Sequence, residues 1–113
     1  MSEINSRQFF RVIYPKGVRP KATIGRKIFP IIDLSEGGMK IFSDNPTEEF
    51  KVRMEIEGVV AFADGSSLTF KGFILRIHKD FIVVRNKVGI PLKKILSEQR
   101  FLIKEYGTLL EKL

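Results

Sequence analysis

The sequence predicts an all-β dominated domain, an antiparallel barrel or sandwich, followed by a C-terminal α-helix. Three observations predict it. Short runs rich in β-branched and aromatic residues recur from Val12 to Arg85, with turn residues between them. No helical stretch separates these runs, so crossovers between parallel strands are not expected. From Pro91 onward the apolar residues fall instead at three- and four-residue steps, the period of a helix.

The elements follow in order. Residues 1–6 are polar, and 1–11 read as a flexible N-terminal arm leading into the first strand. Val12-Ile13-Tyr14 precedes Pro15, which reads as a strand that stops. Pro15 to Lys21 is a loop, Ala22 to Ile24 a short strand, and Gly25-Arg26-Lys27 a turn. Ile28 to Leu34 is a strand in which Pro30 signals an edge or a bulge. Met39 to Phe42 is the next strand and 43–47 a loop. Val52 to Glu57 alternates and predicts a strand with Val52, Met54 and Ile56 inward. Val59 to Ala63 runs into Asp64-Gly65, a hairpin signal. Leu68 to Ile77 is a long strand with Phe70, Gly72 and Ile74 on one face and Phe73, Leu75 and Ile77 on the other. His78-Lys79-Asp80 turns it into Phe81 to Arg85. Leu92, Ile95, Leu96, Gln99, Leu102, Ile103 and Tyr106 form the helix stripe over 91–106, continued by Leu109, Leu110 and Leu113 across Gly107.

The chain has 113 residues, enough for one domain with a real core, here 12–90 for the strands and 91–106 for the helix. Lysine and arginine total 20 against 13 acids, a formal charge of +7 that favours anionic partners. There is no cysteine, which removes disulfides and thiolate metal sites. The one histidine, His78, leaves no basis for a His-rich metal site or a Ser–His–Asp triad, and it reads as a hairpin-tip residue. No signal core and no membrane-length apolar run is present, so the expectation is a cytoplasmic protein without membrane insertion. No carboxylate pair, activated nucleophile or P-loop appears, so no enzyme activity, metal or cofactor is expected.

Two short motifs carry chemistry. Arg7-x-x-x-Arg11 places two guanidinium forks near the N-terminus. Each can hold a phosphate or the O6/N7 edge of guanine by paired hydrogen bonds, or stack on a base. Asp33-Leu34-Ser35-Glu36-Gly37-Gly38 is a polar corner between two strands. In it Asp33 would accept from guanine N–H groups and Ser35 would bond ligand oxygens. Gly38, helped by Gly37, would let backbone N–H groups approach closely. Arg76 and Arg85 sit in or beside strands, facing either solvent or the site. The phenylalanines mostly fall at alternating strand positions and read as core, while Phe9 and Phe10 are the exceptions, one of them a candidate anchor for the arm.

Taken together and in this order, Arg7-x-x-x-Arg11 and Asp33-x-Ser35-x-x-Gly38 resemble the PilZ domain family over about residues 7 to 106. The resemblance implies a six-stranded antiparallel split barrel with a C-terminal helix that binds the bacterial second messenger cyclic di-GMP. It implies that Arg7 and Arg11 contact phosphates and guanine, with Asp33, Ser35 and Gly38 as the second half of the site. Ser6 precedes the arginine motif and leaves ligand stoichiometry open.

The expected function is therefore a cyclic di-GMP receptor that clamps the dinucleotide between arm and corner and relays the signal to a partner protein. Regulation of motility or biofilm formation is the family-level expectation. Two other functions fit the same residues. One is a small basic β-barrel binding RNA or single-stranded DNA, the less favoured partner. The other is a ligand-free PilZ-like adaptor that binds a protein through its helix.

Overall fold

The computed structural model describes residues 11–110. Arg7, Phe9 and the rest of the expected arm up to residue 10 lie outside the described residues. Seven strands are present among the described residues: β1 (Arg11–Ile13), β2 (Lys21–Ile24), β3 (Lys27–Ser35), β4 (Gly38–Phe42), β5 (Glu55–Ala61), β6 (Ser67–Ile77) and β7 (Phe81–Asn86). Helix α1 (Pro46–Glu49) interrupts the expected loop after β4, and helix α2 (Leu92–Leu110) follows the last strand.

All neighbouring strands are antiparallel. The order runs β1-β3-β2-β5-β6-β7-β4, and β3 pairs β4 as well. Six strands, β2 to β7, thus close on one another as a barrel. The long β3 makes closure possible. One of its edges is shared, with β2 along Lys27–Pro30 and β1 along Asp33–Ser35. Its other edge pairs β4. β1 is thus an addition to the barrel, occupying the edge of β3 that β2 has left.

The inner face is apolar and tightly filled. Ala22, Ile31, Leu34, Ile41, Val60, Ile74 and Ile82 are buried, with Phe29 and Phe70 between them. The tight turns fall where glycine allows them, with Gly25 at φ 64° between β2 and β3 and Gly65 at φ 93° in the β5–β6 hairpin.

Several expectations change here. Val52 and Met54 are exposed at 54% and 40% and lie before β5, whereas Ile56 is buried. The reason is backbone pairing: Arg53 N–H donates to the Ile74 carbonyl at 2.7 Å in a left-handed conformation, φ 75°, which breaks the alternation. The two expected runs on either side of Gly58 form one strand, β5. Gly58 is needed within it, because a Cβ there would lie 2.1 Å from the Thr23 carbonyl oxygen. Arg11 belongs to β1 and is not part of an arm.

Two β-bulges also alter the alternation. β3 and β4 shift register between Ile31 and Asp33, and β6 and β7 between Ile74 and Arg76. Ile32 and Leu75 are the extra residues. Leu75 therefore faces out, while Ile77 packs against the core, so the expected Phe73–Leu75–Ile77 face does not exist as one surface.

α2 covers one end of the barrel. Its inward line is Ile95, Glu98 and Leu102, all essentially inaccessible to solvent. Leu92 and Ile103, expected in the stripe, are exposed at 43% and 54%. The helix is broken at Tyr106, whose φ of −134° is not helical, next to Gly107.

Candidate functional site

The two bulges decide what faces outward on one wall. Along β3, Phe29 and Ile31 point into the barrel. Unbroken alternation would send Asp33 after them. The extra residue Ile32 instead turns Leu34 inward, paired with Met39, and puts Asp33 on the outer-face row, paired with Lys40, where its neighbours cover all but 8% of it. Along β6, alternation from Phe70 through Ile74 would drive Arg76 into the core. The extra residue Leu75 turns Arg76 outward and Ile77 inward. Each bulge thus keeps a charge out of apolar surroundings, where burial without a partner is prohibitive.

The resulting outer surface is ordered by register. One row across five strands reads Ile13, Asp33, Lys40, Val83, Arg76. A second row pairs Arg11 with Ser35, and Gly38 with Arg85 and then Phe73. Together they bound an open groove of about 360 Å³. Its lining holds four cations, Arg11, Lys40, Arg76 and Arg85, against the one carboxylate of Asp33. Leu75 and Val83 add apolar surface. The arrangement suits a flat, anionic ligand: charges for phosphate, a carboxylate for N–H donors, and apolar patches for ring faces.

The structure brings Arg11, Asp33, Ser35, Gly37 and Gly38 into this one groove. Arg7 lies outside the described residues. Arg76 and Arg85, left open between solvent and site, both line it. Lys40 was missed. Its Nζ stands 3.8 Å from Asp33 Oδ2 and 4.8 Å from the centre of the Phe81 ring. The signal for it was available, since Met39 and Ile41 inward require Lys40 outward beside the motif.

The corner itself is held from two sides. Ser35 Oγ donates to the Gly38 carbonyl at 3.3 Å. Gly38 is required by proximity and not by a positive φ: a Cβ there would lie 2.2 Å from the Val84 carbonyl oxygen. Asn86 N–H donates to the Gly37 carbonyl at 2.7 Å, and its side-chain amide to the Glu36 carbonyl at 3.3 Å. Ile90 N–H donates to the same Glu36 carbonyl at 3.1 Å. Gly89 leaves room for this contact, as a Cβ would stand 2.8 Å from that oxygen.

No group of three or more metal-ligating side chains is placed to hold an ion among the described residues. No helix among them is long and apolar enough to cross a membrane.

Fold and groove define a small binding barrel that presents an arginine-rich groove on its outer wall. The PilZ domain model matches residues 5–106, and the chain belongs to the PilZ domain family. This is a family of cyclic di-GMP-binding domains that serve as binding and adaptor modules. Comparison with curated proteins and with solved structures gives no match.

Proposed function

We propose that this protein is a cyclic di-GMP receptor without catalytic activity of its own, which passes the signal to a partner protein. The observation that carries this reading is the pairing of Arg11 with Ser35 across β1 and β3. It puts Arg11 beside the Asp33 corner in one groove. Cyclic di-GMP has two phosphates and two guanines, so it rewards both kinds of group. Arg11, with Arg7 four residues before it, holds phosphate and stacks on or bonds guanine. Asp33 accepts from guanine N–H groups, and Ser35 bonds ligand oxygens. Gly37 and Gly38 keep the corner free of side chains.

Calorimetric titration with cyclic di-GMP tests the reading. A hydrogen bond to a charged group is worth about 1.5–3 kcal/mol, so Arg11→Ala and Asp33→Ala are each expected to weaken binding about 10- to 150-fold. Wild-type protein that does not bind the dinucleotide would sink the reading. Binding that survives both substitutions unchanged would move the site elsewhere.

A further inference from the structure

The most deeply buried charge in the described residues lies outside the groove. Glu98 of α2 is 0% exposed. Its Oε1 accepts two hydrogen bonds, from the Tyr14 hydroxyl at 2.8 Å and from Ala63 N–H at 2.8 Å. Its Oε2 is buried with no hydrogen-bond partner among the described residues. A carboxylate buried in this way is a poor device for stability alone, because a shape-matched apolar residue commonly serves as well or better. What it does achieve is position. Tyr14 directly follows β1, three residues after Arg11. β1 itself is only three residues long and pairs with β3 alone. Tyr14 is 3% exposed, and its backbone N–H donates to the Ile32 carbonyl at 3.1 Å, at the β3 bulge.

The other half of the groove is tied to the same region of the chain. Asn86 and Ile90 bond the Glu36 and Gly37 carbonyls directly from the segment that leads into α2. Residues 86 to 98 therefore grip the arginine strand at one point and the Asp33 corner at another.

We infer that Glu98, acting through Tyr14, is a positioning residue that sets Arg11 for the ligand, so that occupancy of the groove and seating of α2 are coupled. The inference rests on the reading of Arg11 as a ligand contact. Coupling of this kind is reciprocal: if the seated helix favours the ligand, the ligand favours the seated helix.

A double-mutant cycle separates positioning from general support. Tyr14→Phe keeps the ring in the core and removes only the hydroxyl. It is expected to weaken cyclic di-GMP binding about fivefold, ~1 kcal/mol by the affinity relation. If Tyr14 acts through Arg11, the double variant Tyr14→Phe/Arg11→Ala binds no more weakly than Arg11→Ala alone. Additive losses would assign Tyr14 and Glu98 a structural role only, and an unchanged Tyr14→Phe affinity would overturn the inference outright.

Amide exchange in the wild type gives a second readout that does not depend on any variant folding. Ala63 N–H, bonded to Glu98, is expected to exchange severalfold more slowly with the dinucleotide bound. Phe62 N–H, bonded to the Ser66 carbonyl in the adjacent hairpin, should not change. Bound ligand that leaves Ala63 exchange unaltered also overturns the inference. Wild-type protein that does not bind overturns the receptor reading and the inference together, whereas binding with no cycle and no protection removes only the inference.

Discussion

The two walls of the barrel are built from similar residues and behave differently. On the wall of β2, β5 and the first half of β6, pairing is unbroken, four residue pairs between β2 and β5 and seven between β5 and β6. Its outer face carries Thr23, Val59 and Thr69 in register, and cross-strand ion pairs such as Lys71 with Glu57. On the wall of β3, β4, β7 and the second half of β6, two bulges break the register, and the charged residues they turn outward form the groove. The regular wall repeats one decision at every second residue. The irregular wall spends two extra residues to place Asp33 and Arg76 where alternation forbids them. The departures from ideal pairing therefore fall on the wall that carries the candidate groove.

Two glycines provide the strongest test of this contrast. Gly38→Ala forces a methyl group against the Val84 carbonyl, and Gly58→Ala forces one against the Thr23 carbonyl, contacts of 2.2 and 2.1 Å. Each is expected to lower unfolding free energy by about 1–3 kcal/mol in urea denaturation. The walls separate in binding: folded Gly58→Ala should keep its affinity for cyclic di-GMP, and folded Gly38→Ala should lose it. Equal affinity in both variants would erase the functional distinction between the walls.

A smaller effect is expected from the added cations of the groove. Arg76→Ala and Arg85→Ala should each weaken the dinucleotide about three- to tenfold, the scale of one modest polar contact. Affinity measured at two salt concentrations should also become less salt-dependent. A salt dependence matching the wild type would place both side chains outside the ligand's reach.

The regular wall has its own pH signature, at the hairpin that docks on α2. Burial pushes the Asp64 carboxyl up, but hydrogen bonds from Lys94 and Ser66 outweigh it and hold the group at about 2, against an ordinary value of 3.8. Lys94 Nζ stands 2.7 Å from Asp64 Oδ2 and 4.5 Å from the Phe62 ring centre. A depressed carboxylate contributes stability that is complete above the unfolded value and is lost as pH falls through the folded one. Stability should therefore decline between about pH 4 and pH 2 in part through this group. Asp64→Asn should flatten that limb in acid denaturation curves, and an unchanged limb would show that the anchor contributes nothing. The smallest effect belongs to Lys71→Ala, expected to change stability by less than about 0.5 kcal/mol, because its pair with Glu57 is solvent-exposed.

Much of the candidate site was legible because its motifs are local. Asp33, Ser35 and Gly38 lie within six residues, and a polar corner between apolar runs is visible in one dimension. Arg11 was legible only through its spacing from Arg7 and the family resemblance. Its partner Ser35 stands 24 positions away, a pairing fixed by the register of β1 on β3. Lys40 follows from alternation once Met39 and Ile41 are placed inward. Arg76 does not, since straight alternation buries it, and only the register shift shows where it goes.

The helix teaches the same lesson from the other side. Leu92 and Ile103 fit the periodic stripe and are exposed, while Glu98 breaks it in chemistry and is as fully buried as Ile95. Hydrophobic periodicity finds a face by averaging, so a single charged residue counts against the face that contains it. Glu98 is tolerated because Tyr14 and Ala63, distant in sequence, supply its partners.

By itself the sequence determined most of the strands, their turns and the closing helix, and it singled out the motif residues. These depend on neighbours within a few positions: side-chain alternation, backbone freedom at glycine and proline, and local polar bonding. Only the tertiary structure decided the register of β3 on β4 and of β6 on β7, and with it which charges share the groove. Register is a property of two strands at once, and one added residue in either reverses every side chain beyond it.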